Sequence, residues 1–113
     1  MSDHIKISPA AGPVTVTAGG SVLGTSSRAL ELREGGSAPV LYVPRADIDM
    51  SRLEQTARTT RCPWKGEASY YSIRVEGTVL ENAVWSYESP IDGVAEIAEH
   101  LAFYPDKVTL TRG

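Results

Sequence analysis

The sequence has little of what a disulfide network or a metal centre requires. It contains one cysteine and two histidines in 113 residues. A single cysteine excludes an intrachain disulfide framework. A structural zinc site needs about four ligands, and Cys62, His4 and His100 do not supply them at a useful spacing. We therefore predict that the protein holds no metal and needs no cofactor.

An excess of positive charge and a long apolar run are also missing. Eleven basic residues against fourteen acidic ones give a formal net charge of −3. Nucleic-acid-binding domains carry clustered Lys and Arg, so this charge predicts no nucleic-acid partner. No apolar run approaches the roughly eighteen residues of a membrane helix, and residues 1–6 lack the apolar stretch of a signal peptide. We expect a cytoplasmic protein that does not enter a membrane.

The length and composition of the chain are those of one globular domain. The apolar fraction is 42% and the charged fraction is 22%, both ordinary for a folded protein. A chain of this length buries about two thirds of its unfolded surface, which is enough for a core without cross-links. We predict a single domain over residues 1–113, and the sequence leaves open whether it forms a homo-oligomer.

Short runs of β-favouring residues predict a mainly β fold of about seven strands. The clearest element is a hairpin with a turn at Glu76-Gly77, where glycine accepts the positive φ of a tight turn. Large apolar groups lie on both faces of this hairpin, which favours a curved, barrel-like antiparallel sheet. Residues 1–12 are predicted to be a loose arm or an edge segment. The predicted strands lie near residues 14–17, 22–23, 29–32, 40–43, 69–75, 78–87 and 108–111.

Two segments have helical features. Asp49 or Ser51 is a suitable cap for one or two helical turns that would end before Thr59. Ser89-Pro90 is typical of a helix start, and the apolar residues that follow recur at helical spacing. This pattern predicts an amphipathic helix that begins near Pro90 and ends before Pro105.

Four segments of the sequence form a recognisable set. They follow the chain order Tyr42-Val43-Pro44-Arg45-Ala46-Asp47, Cys62-Pro63-Trp64-Lys65-Gly66-Glu67-Ala68-Ser69-Tyr70, Trp85-Ser86-Tyr87-Glu88-Ser89-Pro90 and Ala102-Phe103-Tyr104-Pro105. The pattern C-P-x-K-G-x-A-x-Y followed by W-x-Y-x-x-P resembles the bacterial domain-of-unknown-function family 427. The resemblance covers about residues 14–108.

The resemblance implies a small, mostly β domain related to the β-tent group of folds. Many proteins of that group bind zinc through paired Cys-x-x-Cys elements, but here Lys65 stands where the second cysteine would be. Ordinary packing is then expected to replace the metal. The family also carries a nucleotidyltransferase label in places. This sequence gives that label no support, because it has no Gly-Ser element followed by Asp-x-Asp and no phosphate-binding glycine loop.

Cys62 and Lys65 are the first candidates for chemistry. An ammonium close to a thiol favours the thiolate, which is a nucleophile, whereas a lone cysteine is also one of the residues most often buried. A lysine in a Pro-x-Lys-Gly turn needs a partner for its charge. That partner is either an internal carboxylate such as Asp47, a helix C-terminus or an anionic ligand.

Aromatic residues in or beside the motifs are the second set of candidates. Tyr42, Tyr70, Trp85 and Tyr87 each carry a polar end that needs a partner when buried. With Lys65 they are predicted to line one cavity, as in many small-molecule sites, although a packed core is the competing interpretation. Asp47 is a sixth candidate for ligand binding, and it would either orient Lys65 or cap the following turn.

Two functions of different classes follow. The first is a binding module for a small planar or anionic ligand, with Lys65 as the charge partner and the aromatic side chains as walls. The alternative is an enzyme that uses Cys62 as a nucleophile or Lys65 as an amine that forms a Schiff base. A scaffold that acts through oligomerisation is a third interpretation.

Overall fold

The computed structural model describes residues 5–112, and this part of the chain is built mainly from short strands. Three 3-10 helices connect some of them, at Arg45–Asp47, Met50–Arg52 and Asp92–Ile97. The ten strands are β1 (Ile5–Pro9), β2 (Val14–Ala18), β3 (Ser21–Ser26), β4 (Leu30–Glu34), β5 (Val40–Pro44), β6 (Leu53–Cys62), β7 (Gly66–Val75), β8 (Thr78–Ser86), β9 (His100–Phe103) and β10 (Thr109–Arg112).

The strands form two antiparallel sheets. The larger sheet has seven strands in the order β1-β4-β5-β9-β8-β7-β6, and the smaller has three in the order β10-β2-β3. The predicted mainly β, antiparallel fold is therefore confirmed. Barrel-like closure is not found, because β1 and β6 lie at opposite edges of the large sheet and do not pair within the described residues. The relation to the β-tent group stays a prediction.

The hairpin at Glu76-Gly77 is confirmed. Val75 pairs with Thr78, and the two turn residues have φ values of 50° and 75°, as the twist of a two-residue hairpin requires. Further along, β8 has two more residues than β7 between their pairings, because Tyr71 pairs with Val84 and Ile73 with Leu80. This bulge bends the hairpin.

The predicted amphipathic helix between Pro90 and Pro105 is wrong. Only the 3-10 helix Asp92–Ile97 forms, and Val94 inside it departs from helical geometry, with φ −131°. Residues His100–Phe103 instead form β9, which lies between β5 and β8. Leu101 pairs with Val43 and Ala102 with Trp85. Of the apolar residues at helical spacing, only Leu101 lies in this central strand, where tertiary packing outweighs the local pattern.

The two edge strands of the large sheet, β1 and β6, lie in the N-terminal segment and in the segment that ends at Cys62. Within the predicted arm or edge segment, Ile5–Pro9 form β1 and pair with β4. Residues 1–4, His4 included, lie outside the described residues. The predicted helical segment before Thr59 is one short turn, Met50–Arg52, capped by the Asp49 side chain. The ten-residue strand β6 then follows. Its polar, mostly exposed composition hides the period-two pattern of a strand.

The large sheet has an apolar cluster on each face. The cluster between the two sheets, here called the inter-sheet core, contains Val14, Val16, Ala18, Leu23, Ala29, Val43, Ile48, Tyr71, Ile73, Val75, Ala83, Val84, Leu101, Phe103 and Val108. The cluster on the opposite face, here called the aromatic cluster, contains Ile5, Leu32, Tyr42, Ala68, Tyr70, Tyr87, Val94, Ile97 and Ala102, with Trp85, Tyr104 and Cys62 partly buried against it.

Candidate functional site

The turn between β6 and β7 holds the backbone of Lys65 on both sides. The Lys65 amide donates to the Cys62 carbonyl at 3.2 Å, and the Lys65 carbonyl accepts from the Ile91 amide at 3.0 Å. The next residue, Gly66, has φ 113°, a conformation that side chains other than hydrogen rarely allow. The Pro-x-Lys-Gly motif therefore fixes the direction in which the Lys65 side chain leaves the turn.

The Lys65 ammonium forms an ion pair with Glu34. Nζ lies 2.6 Å from Oε1, and the side chains of Lys65 and Glu34 are 10% and 29% exposed. Of the partners considered from the sequence, an internal carboxylate is the one present, but it is Glu34 and not Asp47. A charge-assisted hydrogen bond of this length in a half-buried place is a strong contact.

A cavity of about 290 Å³ lies beside this ion pair. Five of the six ligand-binding candidates from the sequence meet there, namely Tyr42, Lys65, Tyr70, Trp85 and Tyr87. The remaining lining residues come from β4, β5, the loop between them and the segment after β9: Leu32, Glu34, Ser37, Ala38, Val40 and Tyr104.

The aromatic rings of the cavity contact one another at defined angles. Tyr42 meets Trp85 edge to face with 6.4 Å between ring centroids, and Tyr104 packs on Trp85 at 4.6 Å. The Trp85 indole donates to the Tyr42 hydroxyl at 3.3 Å. The Lys65 ammonium lies 5.9 Å from the centre of the Tyr87 ring, within reach of a cation–π attraction.

Two tyrosine hydroxyls of the cavity stay protonated well above neutral pH. Burial raises the pKa of Tyr42 to about 12, although the hydrogen bond from Trp85 opposes that rise. Burial also raises the pKa of Tyr87. The Tyr87 hydroxyl forms no hydrogen bond to another described residue. Within the described residues, Ser86 Oγ is the one fully enclosed side-chain polar atom that lacks a partner, so the Tyr87 hydroxyl is not fully enclosed. The Tyr87 hydroxyl is therefore available to a molecule in the cavity.

Tyr70 and Tyr104 form a second pair at the edge of the cavity. The Tyr70 hydroxyl shares a 2.9 Å hydrogen bond with Thr60, and the Arg58 guanidinium lies 4.8 Å from the Tyr70 ring centre. Burial would raise the pKa of Tyr70, but hydrogen bonds from Thr60, Tyr104 and Arg58 together lower it. Burial raises the pKa of Tyr104 to about 12. The pair therefore has one hydroxyl that ionises more readily than the other.

Asp47, the sixth ligand-binding candidate, does not line the cavity. Its carboxylate accepts from the Ser26 hydroxyl at 2.6 Å and from the Arg28 guanidinium at 2.9 Å. These two contacts, Arg28 first, hold the pKa of Asp47 below its usual range. Asp47 thus joins β3 to the 3-10 helix Arg45–Asp47, and it is Asp49 that caps the next turn.

Cys62 lies beside the site without lining the cavity. Its free thiol is partly buried and packs against the aromatic cluster. The role of Cys62 as a nucleophile stays a prediction.

Glu34 and Tyr104 are the charged and aromatic residues of the cavity that were not predicted from the sequence. Tyr104 belongs to the fourth motif and carries a polar end. Glu34 follows Leu30 and Leu32 at a spacing of two, which puts its carboxylate on the apolar face of β4. A charged residue that continues an apolar face needs a buried partner. This pattern could have indicated that Glu34 has a partner inside the fold, but not that the partner is Lys65.

The described residues contain neither a metal-binding group of side chains nor a helix that could cross a membrane. Over residues 5–112, no group of three or more His, Cys, Asp or Glu side chains is arranged to hold a metal ion. None of the helices in this part of the chain is long and apolar enough to cross a membrane.

Comparison with known proteins agrees with the sequence motifs. A family model described as "Domain of unknown function (DUF427)" matches residues 6–112. The match extends from β1 to β10 and therefore includes every strand that lines the cavity. None of the curated proteins compared with the chain matches it.

Proposed function

We propose a function for this chain, which belongs to the DUF427 family. The description of that family names no activity. The domain binds a small planar polar molecule in the cavity beside Lys65. A volume of about 290 Å³ is at the lower end of the range for ligand sites. A single ring with one polar substituent is the size of ligand that this volume suits.

The observation that carries the proposal is the meeting of polar groups and aromatic walls in one cavity. Tyr42, Trp85 and Tyr104 offer ring faces and edges on which a flat molecule can stack. The Lys65–Glu34 pair lies beside them and presents a donor next to an acceptor. The Tyr87 hydroxyl adds a group that forms no hydrogen bond within residues 5–112, and a polar group of this kind usually finds a partner in a ligand or water.

The ion pair favours a neutral ligand over an anionic one. Glu34 already pairs with the Lys65 ammonium at 2.6 Å, so the charge of that ammonium is neutralised within the protein. An anion would gain from Lys65 but would be repelled by the Glu34 carboxylate at short range. A planar group with its own donor and acceptor, such as a carboxamide, contacts both partners without a charge conflict.

The enzyme alternative has weaker support. An amine that forms a Schiff base must be free to attack a carbonyl carbon, whereas Lys65 Nζ is held by Glu34 Oε1 at 2.6 Å. Cys62 is not among the described residues that line the cavity. The cytoplasmic location stays a prediction from the sequence.

Titration of the protein with benzamide by isothermal calorimetry tests the proposal. We expect benzamide to bind more tightly than benzoate, and Tyr87→Phe and Lys65→Ala to weaken benzamide binding at least about fivefold, the loss of one hydrogen bond. Arg74→Ala is the matched control, because Arg74 also forms an ion pair, with Glu54, in which both side chains are more than half exposed.

Equal binding by all four proteins would mean that benzamide binds elsewhere and would contradict the proposal. The absence of binding to the wild-type protein would contradict it as well. Benzoate binding more tightly than benzamide would instead favour the anionic ligand considered from the sequence.

A further inference from the structure

A second recess adjoins the cavity and differs from it in chemistry. This groove has a volume of about 330 Å³, and all nine of the residues that line it are apolar. Three of them, Ala38, Val40 and Trp85, also line the cavity. The two recesses are therefore neighbours with one shared wall.

The groove lies where the two faces of the large sheet meet. Phe103 belongs to the inter-sheet core, and Leu41 and Leu110 pack against that core. Trp85 packs against the aromatic cluster on the other face and lines both recesses. A molecule that passes Trp85 thus moves from a polar, aromatic site to one lined only by apolar side chains.

The composition of the groove restricts what can fill it. With no charged, amide or hydroxyl side chain in its lining, the groove favours an apolar substituent, which gains by leaving water. The cavity has the opposite preference, since it offers Lys65, Glu34 and Tyr87. A ligand that fits both recesses has a polar ring at one end and an apolar chain at the other.

We infer, building on the proposed function, that the ligand is amphipathic: a planar polar head occupies the cavity, and an apolar substituent of a few carbons occupies the groove across Trp85. The two recesses share three lining residues. Their adjacency supports a single amphipathic ligand that fills both recesses over an unrelated partner in the groove. Leu41, Phe103 and Leu110 would contact the substituent. The Lys65–Glu34 pair would contact the head.

Calorimetric titration with benzamide and 4-pentylbenzamide tests the inference, using wild type, Leu110→Thr and Leu80→Thr. Each methylene buried strengthens binding about fourfold, so we expect a gain of at least about thirtyfold from the pentyl chain in wild type. Leu110→Thr should remove most of this gain. Leu80→Thr should keep it, because Leu80 packs on the same core as Leu110 but is not part of the groove.

The outcomes separate the two levels of the proposal. Benzamide binding with no gain from the pentyl chain would overturn this inference and leave the proposed function intact. An equal gain in all three proteins would show nonspecific apolar attraction and would also overturn it. A dimer in sedimentation equilibrium that Leu110→Thr dissociates would assign the groove to a second copy instead. No benzamide binding at all would contradict the proposed function itself.

Discussion

The two faces of the seven-stranded sheet are built from different kinds of residue. The inter-sheet core is mostly aliphatic and is covered by the three-stranded sheet. The aromatic cluster includes Val94 and Ile97 from the segment after β8, and three of its nine buried members are tyrosines. Aliphatic side chains can close completely against one another, whereas tyrosines must keep each hydroxyl beside a partner or a space. We therefore expect the inter-sheet core to supply more of the stability, and the aromatic face is the one on which we propose the ligand site.

The largest expected effect comes from truncating one aliphatic residue on each face. Ile73 is 0% exposed and lies in the inter-sheet core, whereas Leu32 is 2% exposed and lines the cavity. We expect Ile73→Ala to lower the free energy of unfolding by about 4 kcal/mol and Leu32→Ala by about 2 kcal/mol, because a side chain beside an existing space loses fewer contacts.

Urea denaturation of both variants measures these two losses. Equal losses would remove the distinction between the faces, and a larger loss for Leu32→Ala would reverse it.

A smaller effect is expected from the ion pair on the aromatic face. Lys65→Ala leaves the half-buried Glu34 without its ammonium, and we expect a loss of about 1 to 3 kcal/mol. Arg74→Ala breaks the exposed pair with Glu54 and should cost less than about 1 kcal/mol.

Thermal unfolding compares these variants, with a shift of about 4 to 8 °C for each kcal/mol in a domain of this size. If Lys65→Ala melts no earlier than Arg74→Ala, the Lys65–Glu34 pair contributes no more than a surface contact.

The smallest expected effect is an alkaline loss of stability from Tyr42. Its pKa is about 12 in the folded protein and about 10 in an unfolded chain. The folded state keeps the proton longer, so the contribution of Tyr42 is complete below pH 10 and is lost as the pH rises from 10 to 12.

Denaturation midpoints measured across this pH window should fall less steeply for Tyr42→Phe than for wild type. Parallel curves for the two proteins would show that Tyr42 ionises as freely in the fold as in the unfolded chain.

The sequence predicted the local features of the fold better than the edges of its sheets. The Glu76-Gly77 turn was predictable because its backbone requirement is met by two adjacent residues. The strand β9 was not, because the spacing of Val94, Ala98 and Leu101 suits a helix equally well. Only the pairing of Leu101 with Val43 and of Ala102 with Trp85 decides in favour of a strand.

The candidate site shows the same division. The motif residues Lys65, Tyr70, Trp85 and Tyr87 were selected from short segments of the sequence, and the structure brings all four to one cavity. The partner of Lys65 was not predicted, because Glu34 lies 31 residues away in sequence. Asp47 was predicted to bind the ligand because it lies in the first motif segment, but its carboxylate accepts hydrogen bonds from Ser26 and Arg28. A partner in a β protein is set by strand order, which no local pattern contains.

The most direct test of the central claim is a two-dimensional amide NMR titration of the wild-type protein with benzamide. If the aromatic face holds the ligand site, the largest shifts will fall on residues that line the cavity, such as Lys65, Tyr87 and Glu34, and on the indole of Trp85. The amide resonances of residues in the inter-sheet core, such as Val16 and Ile73, should not shift. Shifts of similar size on both faces, or none near Lys65, would contradict the account.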